Sequence, residues 1–204
     1  MDSKSHWEAV YSTRSPEDVS WYQPYPVRSL ELLSTANLGT GSAIIDVGGG
    51  DSTLVSALLD QRVGQITVLD VSACALARAR ERLGARSNQV TWLEADVTRV
   101  SLAPAAYTHW HDRAVFHFLT SPEDREAYVR TAAHAIRPGG TMVIATFADD
   151  GPLRCSGLDV ARYSPATLTD ALGPDFALRQ SVADVHLTPS GAEQRFTYAV
   201  LERR

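Results

Sequence analysis

The residues best suited to chemistry begin with Ile44-Ile45-Asp46-Val47-Gly48-Gly49-Gly50-Asp51-Ser52 and continue in two later aspartates, Asp70 and Asp96. An apolar run passes into three glycines and then into apolar residues at helical spacing. Glycine permits a sharp turn and, lacking a side chain, lets a ligand lie against the main chain. Asp70 follows Gly50 by twenty residues and closes the run Ile66-Thr67-Val68-Leu69. A carboxylate there can accept hydrogen bonds from both hydroxyls of a ribose. Asp96, in Glu94-Ala95-Asp96-Val97, can accept from an exocyclic adenine amine, with Val71 and Val97 sandwiching the ring. Taken singly, each of these reads as a loop glycine, a surface carboxylate or a cap. Their common register, each at the end of an apolar run, points to a nucleoside-bearing ligand.

A second cluster lies in Trp110-His111-Asp112-Arg113-Ala114-Val115-Phe116-His117-Phe118, where nine residues hold two histidines, an aspartate and two phenylalanines. His111 is expected nearest the glycine turn, while Asp112 and His117 are candidates to position or deprotonate a second substrate. The competing structural reading makes His117 a core histidine and Asp112-Arg113 an ion pair or cap. The segment 147–157 is polar and Gly-rich and is expected to overhang the same end of the sheet. Tyr11, Trp21 and Tyr22, with Trp7, concentrate aromatic surface in the first 22 residues. They suit a lid that excludes water and offers π-faces to a cation. The alternative is a plug against the open edge of a sheet.

The elements that must position these groups follow from periodicity. Apolar runs of strand length occupy 42–47, 65–70, 89–93, 107–110 and 141–147. Segments 54–59, 74–83 and 125–136 carry apolar residues at helical spacing, and Pro138-Gly139-Gly140 stops the last. Such alternation implies a parallel sheet covered on both faces. Residues 176–185 and 194–201 alternate as an antiparallel hairpin joined through Thr188-Pro189-Ser190-Gly191. A further helix is expected over 27–33. The glycine turn then sits where nucleotide-like ligands bind in open α/β sheets.

Two ligand classes share that layout. A dinucleotide fingerprint, Gly-x-Gly-x-x-Gly, counted from Gly48 would end at Thr53, which argues against a nicotinamide or flavin cofactor. Asp46 and Asp51 beside the loop would repel a pyrophosphate but suit an ammonium and a sulfonium. That is the chemistry of S-adenosylmethionine. Asp46-Val47-Gly48-Gly49-Gly50, Asp70, Asp96 and Arg137-Pro138-Gly139-Gly140 together resemble the class I S-adenosylmethionine-dependent methyltransferases over about the whole chain. The chain departs from their Asp/Glu-x-Gly-x-Gly-x-Gly at Ser52. His6-Trp7-Glu8-Ala9-Val10-Tyr11 and Ser20-Trp21-Tyr22 are similar to the start of the lysine methyltransferases acting on elongation factor 1A and citrate synthase. Those carry an Asp-Lys-Gly-Thr-like turn where this chain has Asp112-Arg113-Ala114-Val115.

The resemblance implies a Rossmann-like α/β fold: a seven-stranded, mostly parallel sheet with a C-terminal antiparallel hairpin and helices on both faces. It implies one methyltransferase domain over 1–204, with an aromatic N-terminal cover at 1–35 and a cofactor-binding core at 40–204. The implied cofactor is S-adenosylmethionine, released as S-adenosylhomocysteine. Its contacts would come from Tyr11, Trp21, Asp46, Gly48, Gly49, Gly50, Asp70, Val71, Asp96, Val97 and His111. The catalytic candidates are His111, Asp112 and His117, and the acceptor is a small molecule or a protein lysine.

Composition narrows the partners. With 204 residues, 44% of them apolar, the chain can bury one sizeable core. A net charge of −5 gives no basic surface for nucleic acid or an anionic membrane. Two cysteines are too few for a disulfide framework. The histidines and Cys155 lack the paired spacing of a metal site. The first residues lack the basic start and apolar run of a secretory signal, and no stretch has the roughly 18–20 apolar residues of a membrane span. The expectation is a cytoplasmic monomer or homodimer without metal. Two other function classes remain open at this point, an NAD-dependent oxidoreductase and a non-catalytic cofactor-binding module.

Overall fold

The computed structural model of the chain describes residues 3–204. Its centre is a seven-stranded sheet in the order β3-β2-β1-β4-β5-β9-β8. The strands are β1 (Ala43–Val47), β2 (Gln65–Asp70), β3 (Val90–Glu94), β4 (Tyr107–Arg113), β5 (Ile136–Phe147), β8 (Phe176–Leu187) and β9 (Glu193–Arg203). A two-stranded ribbon, β6 (Arg154–Cys155) with β7 (Leu158–Asp159), stands apart. The first five sheet strands pair in parallel, and β9 runs antiparallel to both β5 and β8. This is the expected mostly parallel α/β sheet with a closing hairpin. Chain order proceeds from β1 outward through β2 and β3, then returns to β4 on the other side of β1. That reversal opens a crevice at the carboxyl ends of β1 and β4.

Helices cover both faces. The helices are α1 (Ser3–Thr13), α2 (Val27–Thr35), α3 (Leu54–Asp60), α4 (Ala73–Leu83), α5 (Pro122–Ala135) and α6 (Pro165–Leu172). One core packs Leu32 and Leu33 of α2 and Leu54 and Leu58 of α3 against Ile44, Val68 and Val143. The other packs Tyr128 and Ala132 of α5 and Leu168 and Leu172 of α6 against Ile45, Trp110 and Ile144. Short side chains start the helices where expected. Ser72 Oγ accepts from Ala75 N at 3.1 Å, and Ser121 Oγ accepts from Asp124 N at 3.1 Å with Pro122 in the first turn.

Several boundaries differ from expectation. Strand β4 runs to Arg113 rather than ending at Trp110, and β5 begins at Ile136, before the Pro-Gly-Gly segment. The polar stretch after β5 contains the β6–β7 ribbon, and α1 and α6 had no clear periodic signal. Among the described residues no helix is long and apolar enough to cross a membrane.

Candidate functional site

The turn after β1 forms because Gly48 adopts φ +67°, in the left-handed region, and a Cβ there would collide with Val115. At Gly50 the restriction is proximity: a Cβ would lie 2.5 Å from Asp70 Oδ2 and 2.7 Å from the Ala75 Cβ. The main chain is thereby pressed between the ends of β1 and β2. Above it lie two adjoining cavities of about 680 and 830 Å³, including their open mouths, within the usual range for small-molecule sites. They share Tyr11, Trp21, Val47, Gly48 and Arg113. The first is also lined by Asp46, Gly49 and His111, the second by Asp70, Val71, Asp96 and Val97. Gly50 is buried and lines neither of them.

Each strand-end aspartate is held differently. Asp46 is 2% exposed; its Oδ1 accepts from His111 Nδ1 at 2.7 Å, and its buried Oδ2 has no partner. His111 Nε2 lies 2.9 Å from Ser29 Oγ on α2, so both ring nitrogens are engaged. Asp70 accepts from Ser72 N at 2.8 Å. Burial pushes its carboxyl up to about 7, against the opposing effect of the Ser72 and Gly50 backbone donors. Asp96 Oδ1 accepts from Thr98 N at 2.8 Å and Thr98 Oγ1 at 2.7 Å, leaving a half-exposed carboxylate at the rim. Asp51 does not offer a free charge: it pairs with Arg82 and with Arg78 at 3.6 Å. Ser52, at the departure from the family pattern, accepts from Leu54 N at 3.1 Å and so helps to start α3.

The N-terminal aromatics form a layer over the crevice. The ring centroids of Tyr11 and Trp21 are 6.1 Å apart, and Trp7 lies 5.7 Å from Trp21 and 5.0 Å from Phe118. Glu8 fastens α1 by accepting from Ala73 N at 2.6 Å and Cys74 N at 3.2 Å at the start of α4. Lys4 reaches Glu94 at 2.5 Å. Sequence reading missed Glu8 and Ser29, because each matters through a partner more than 60 residues away.

The three catalytic candidates do not converge. His111 and Asp112 lie on β4 itself, not in a loop, and successive strand residues face opposite sides of a sheet. His111 faces the cavity. Asp112 is fully buried on the other face, where Oδ1 accepts from Val115 N at 2.8 Å and Oδ2 accepts from Phe116 N at 3.1 Å and Tyr128 Oη at 2.6 Å. Burial raises its carboxyl to about 6 despite these donors. His117 is fully buried between the rings of Phe118 and Phe147, with centroids at 4.5 and 4.6 Å, and its Nδ1 accepts from Phe147 N at 3.2 Å. Burial, reinforced by the charge of Arg113, pushes it down to about 3. Neither Asp112 nor His117 lines either of these two cavities, contrary to their expected part in substrate handling. Among the described residues no group of three or more His, Cys, Asp or Glu side chains is arranged for a metal ion.

This sheet order, with a glycine turn and three aspartates at or just beyond strand ends on one crevice, is a Rossmann-like fold, the fold also seen in solved S-adenosylmethionine-dependent methyltransferases. Residues 44–140 match the family model described as a methyltransferase domain. An uncharacterised methyltransferase of Mycobacterium tuberculosis is 32% identical over 110 residues, covering 54% of this chain and 52% of that protein. The chain thus spans about half the length of the curated relatives it matches first. A zebrafish (Danio rerio) eEF1A lysine and N-terminal methyltransferase is 24% identical over 153 residues, covering 74% of this chain and 22% of that one. Among solved structures, the N-methyltransferase NodS of Bradyrhizobium japonicum, in complex with S-adenosylhomocysteine, has the same fold. Its TM-score is 0.73 at 18% identity, covering 99% of each chain.

Proposed function

We propose that this chain is an S-adenosylmethionine-dependent methyltransferase, one domain over residues 1–204, acting on a nucleophile of a small molecule or a protein lysine. The observation that carries this reading is the buried Asp46 carboxylate, one oxygen locked by His111 and the other unpartnered, beside the glycine turn. The donor set fits the cofactor in charge and polarity. Asp46 would take its ammonium, Asp70 the ribose hydroxyls and Asp96 the adenine amine, with Val71 and Val97 about the ring and Gly48, Gly49 and Gly50 leaving the main chain bare. When bound, the cofactor supplies a methyl group activated on a sulfonium sulfur.

The protein's own contribution is placement. Tyr11 and Trp21 cover the crevice and exclude water, and His111 is a positioning residue that fixes Asp46 through its bond to Ser29. Correct orientation can supply a large part of the acceleration of such a displacement. The names of the relatives support a nitrogen acceptor, a protein lysine or N-terminus in one and an N-methylation substrate in another. The free thiols of Cys74 and Cys155 support a reducing, cytoplasmic setting, as monomer or homodimer.

Calorimetric titration with S-adenosylhomocysteine, S-adenosylmethionine and NAD tests the reading. Both adenosyl compounds are expected to bind and NAD is not; binding of NAD alone would overturn it. Radiolabelled cofactor incubated with separated protein and small-molecule fractions then identifies the acceptor class. Label in neither, with the cofactor bound, would favour a non-catalytic binding module.

A further inference from the structure

Arg113, the last residue of β4, lines both cavities and lies on the same strand face as His111. Three contacts fix its guanidinium. Nε donates to Tyr198 Oη at 3.2 Å, Nη1 donates to the Trp21 carbonyl at 3.0 Å, and Cζ sits 4.9 Å from the Phe196 ring centroid. The remaining nitrogen, Nη2, is buried and has no hydrogen-bond partner. Among the described residues no carboxylate comes within ion-pairing distance of this guanidinium. Arg78 and Arg82, by contrast, are both engaged by Asp51. Its charge acts on the nearby histidines: burial, aided by the Arg113 charge, pushes both His117 and His186 down.

A buried donor left unpaired on a cation is costly to hold. Here it belongs to a side chain that lines both cavities, the space the proposed reaction uses. A guanidinium with one unpaired nitrogen and no carboxylate partner matches an anionic oxygen of a carboxylate. An ammonium brought to the same place would meet a like charge. The position also separates two sources of a carboxylate. The aspartates assigned to the cofactor stand on β1, β2 and near the end of β3, whereas Arg113 leans through Tyr198 and Phe196 toward β9, on the opposite side of β4. Resting on the methyltransferase reading above, we propose that the acceptor is a small carboxylic acid gripped by Arg113, and not a protein lysine.

The test uses S-adenosylhomocysteine, benzoate and its uncharged isostere benzamide, with wild-type protein, Arg113→Met and Arg113→Lys. S-adenosylhomocysteine affinity, measured by calorimetry, is expected to agree within threefold among the three proteins. In protein saturated with S-adenosylhomocysteine, benzoate should bind wild type at least tenfold more tightly than benzamide. Arg113→Met should abolish that preference, and Arg113→Lys, which keeps the charge, should retain part of it. Circular dichroism establishes that each variant is folded, and if the Met variant is not, the Lys variant carries the comparison. Equal or absent binding of benzoate and benzamide to wild type would overturn the inference while leaving the cofactor reading intact. A tenfold loss of S-adenosylhomocysteine affinity in either folded variant would also overturn it, assigning Arg113 to the cofactor's own carboxylate. Failure of wild type to bind S-adenosylhomocysteine would overturn the cofactor reading, and this inference with it.

Discussion

Asp46 and Asp112 are the penultimate residues of adjacent strands, both are at most 2% exposed, and they differ in almost everything else that matters. They lie on opposite faces of the sheet. Asp112 faces α5 and spends both oxygens on three donors from Val115, Phe116 and Tyr128. Asp46 faces α2 and the crevice, spending one oxygen on His111 and none of the other on any protein group. A saturated buried carboxylate ties chain segments together. An unsaturated one beside a cavity is a binding group awaiting its donor, since burial without a partner is otherwise costly.

The sharpest way to break this contrast is Asp112→Ala. It orphans two backbone N–H groups and the Tyr128 hydroxyl in a site without solvent, so a loss of about 3 kcal/mol or more is expected. Urea unfolding reads this directly. S-adenosylhomocysteine affinity of the folded fraction should change less than threefold. A stable variant with lost affinity would reverse the roles given to the two aspartates.

Asp46→Asn is the counterpart. The amide oxygen can still accept from His111 Nδ1, so stability should move by about 1 kcal/mol or less. Removing the charge should weaken S-adenosylhomocysteine binding roughly 10- to 100-fold, as for a charged hydrogen bond of about 1.5–3 kcal/mol. Unchanged affinity in calorimetry would take the cofactor's ammonium away from Asp46.

The same contrast explains what was legible in the sequence. The glycine turn, Asp46, Asp70 and Asp96 were readable because each is tied to the carboxyl end of an apolar run, and chain order alone sets those ends side by side. The region after Trp110 was not, because its chemistry depends on which way each side chain points. Treating 110–118 as a loop puts His111, Asp112 and His117 in one site. Three more residues of strand put His111 and Asp112 on opposite sides of the pleat, and the turn at Phe116–Phe118 buries His117. Arg113 was visible only as a departure from a family turn. Its importance lies in contacts with Trp21, Phe196 and Tyr198, which no local pattern encodes.

A smaller effect comes from Asp70, whose carboxyl burial raises to about 7. In the proposed binding mode ribose hydroxyls donate to the ionised form, so protonation would compete with the ligand. Affinity for S-adenosylhomocysteine should therefore fall as pH drops below about 7, approaching but not exceeding tenfold per unit, and should level off above. Calorimetry at pH 6, 7 and 8 measures the trend, and Asp70→Asn should weaken binding and flatten the profile. A profile that keeps its slope in that variant would place the titrating group elsewhere.

Ser29→Ala tests the far end of the Asp46–His111–Ser29 chain and should have the least effect. Ser29 is 1% exposed, and its hydroxyl meets His111 Nε2 at 2.9 Å, so its loss should reduce stability by about 1 kcal/mol. The Asp46–His111 bond survives, and S-adenosylhomocysteine affinity should drop no more than threefold. Combined with Asp46→Asn, the Ser29 change should cost little further affinity, because residues acting through one network are not additive. If Ser29→Ala instead weakened binding as strongly as Asp46→Asn, the orientation of His111 rather than the Asp46 charge would be what holds the ligand. The unpartnered oxygen of Asp46 would then owe its state to packing against Gly49 and not to a waiting donor.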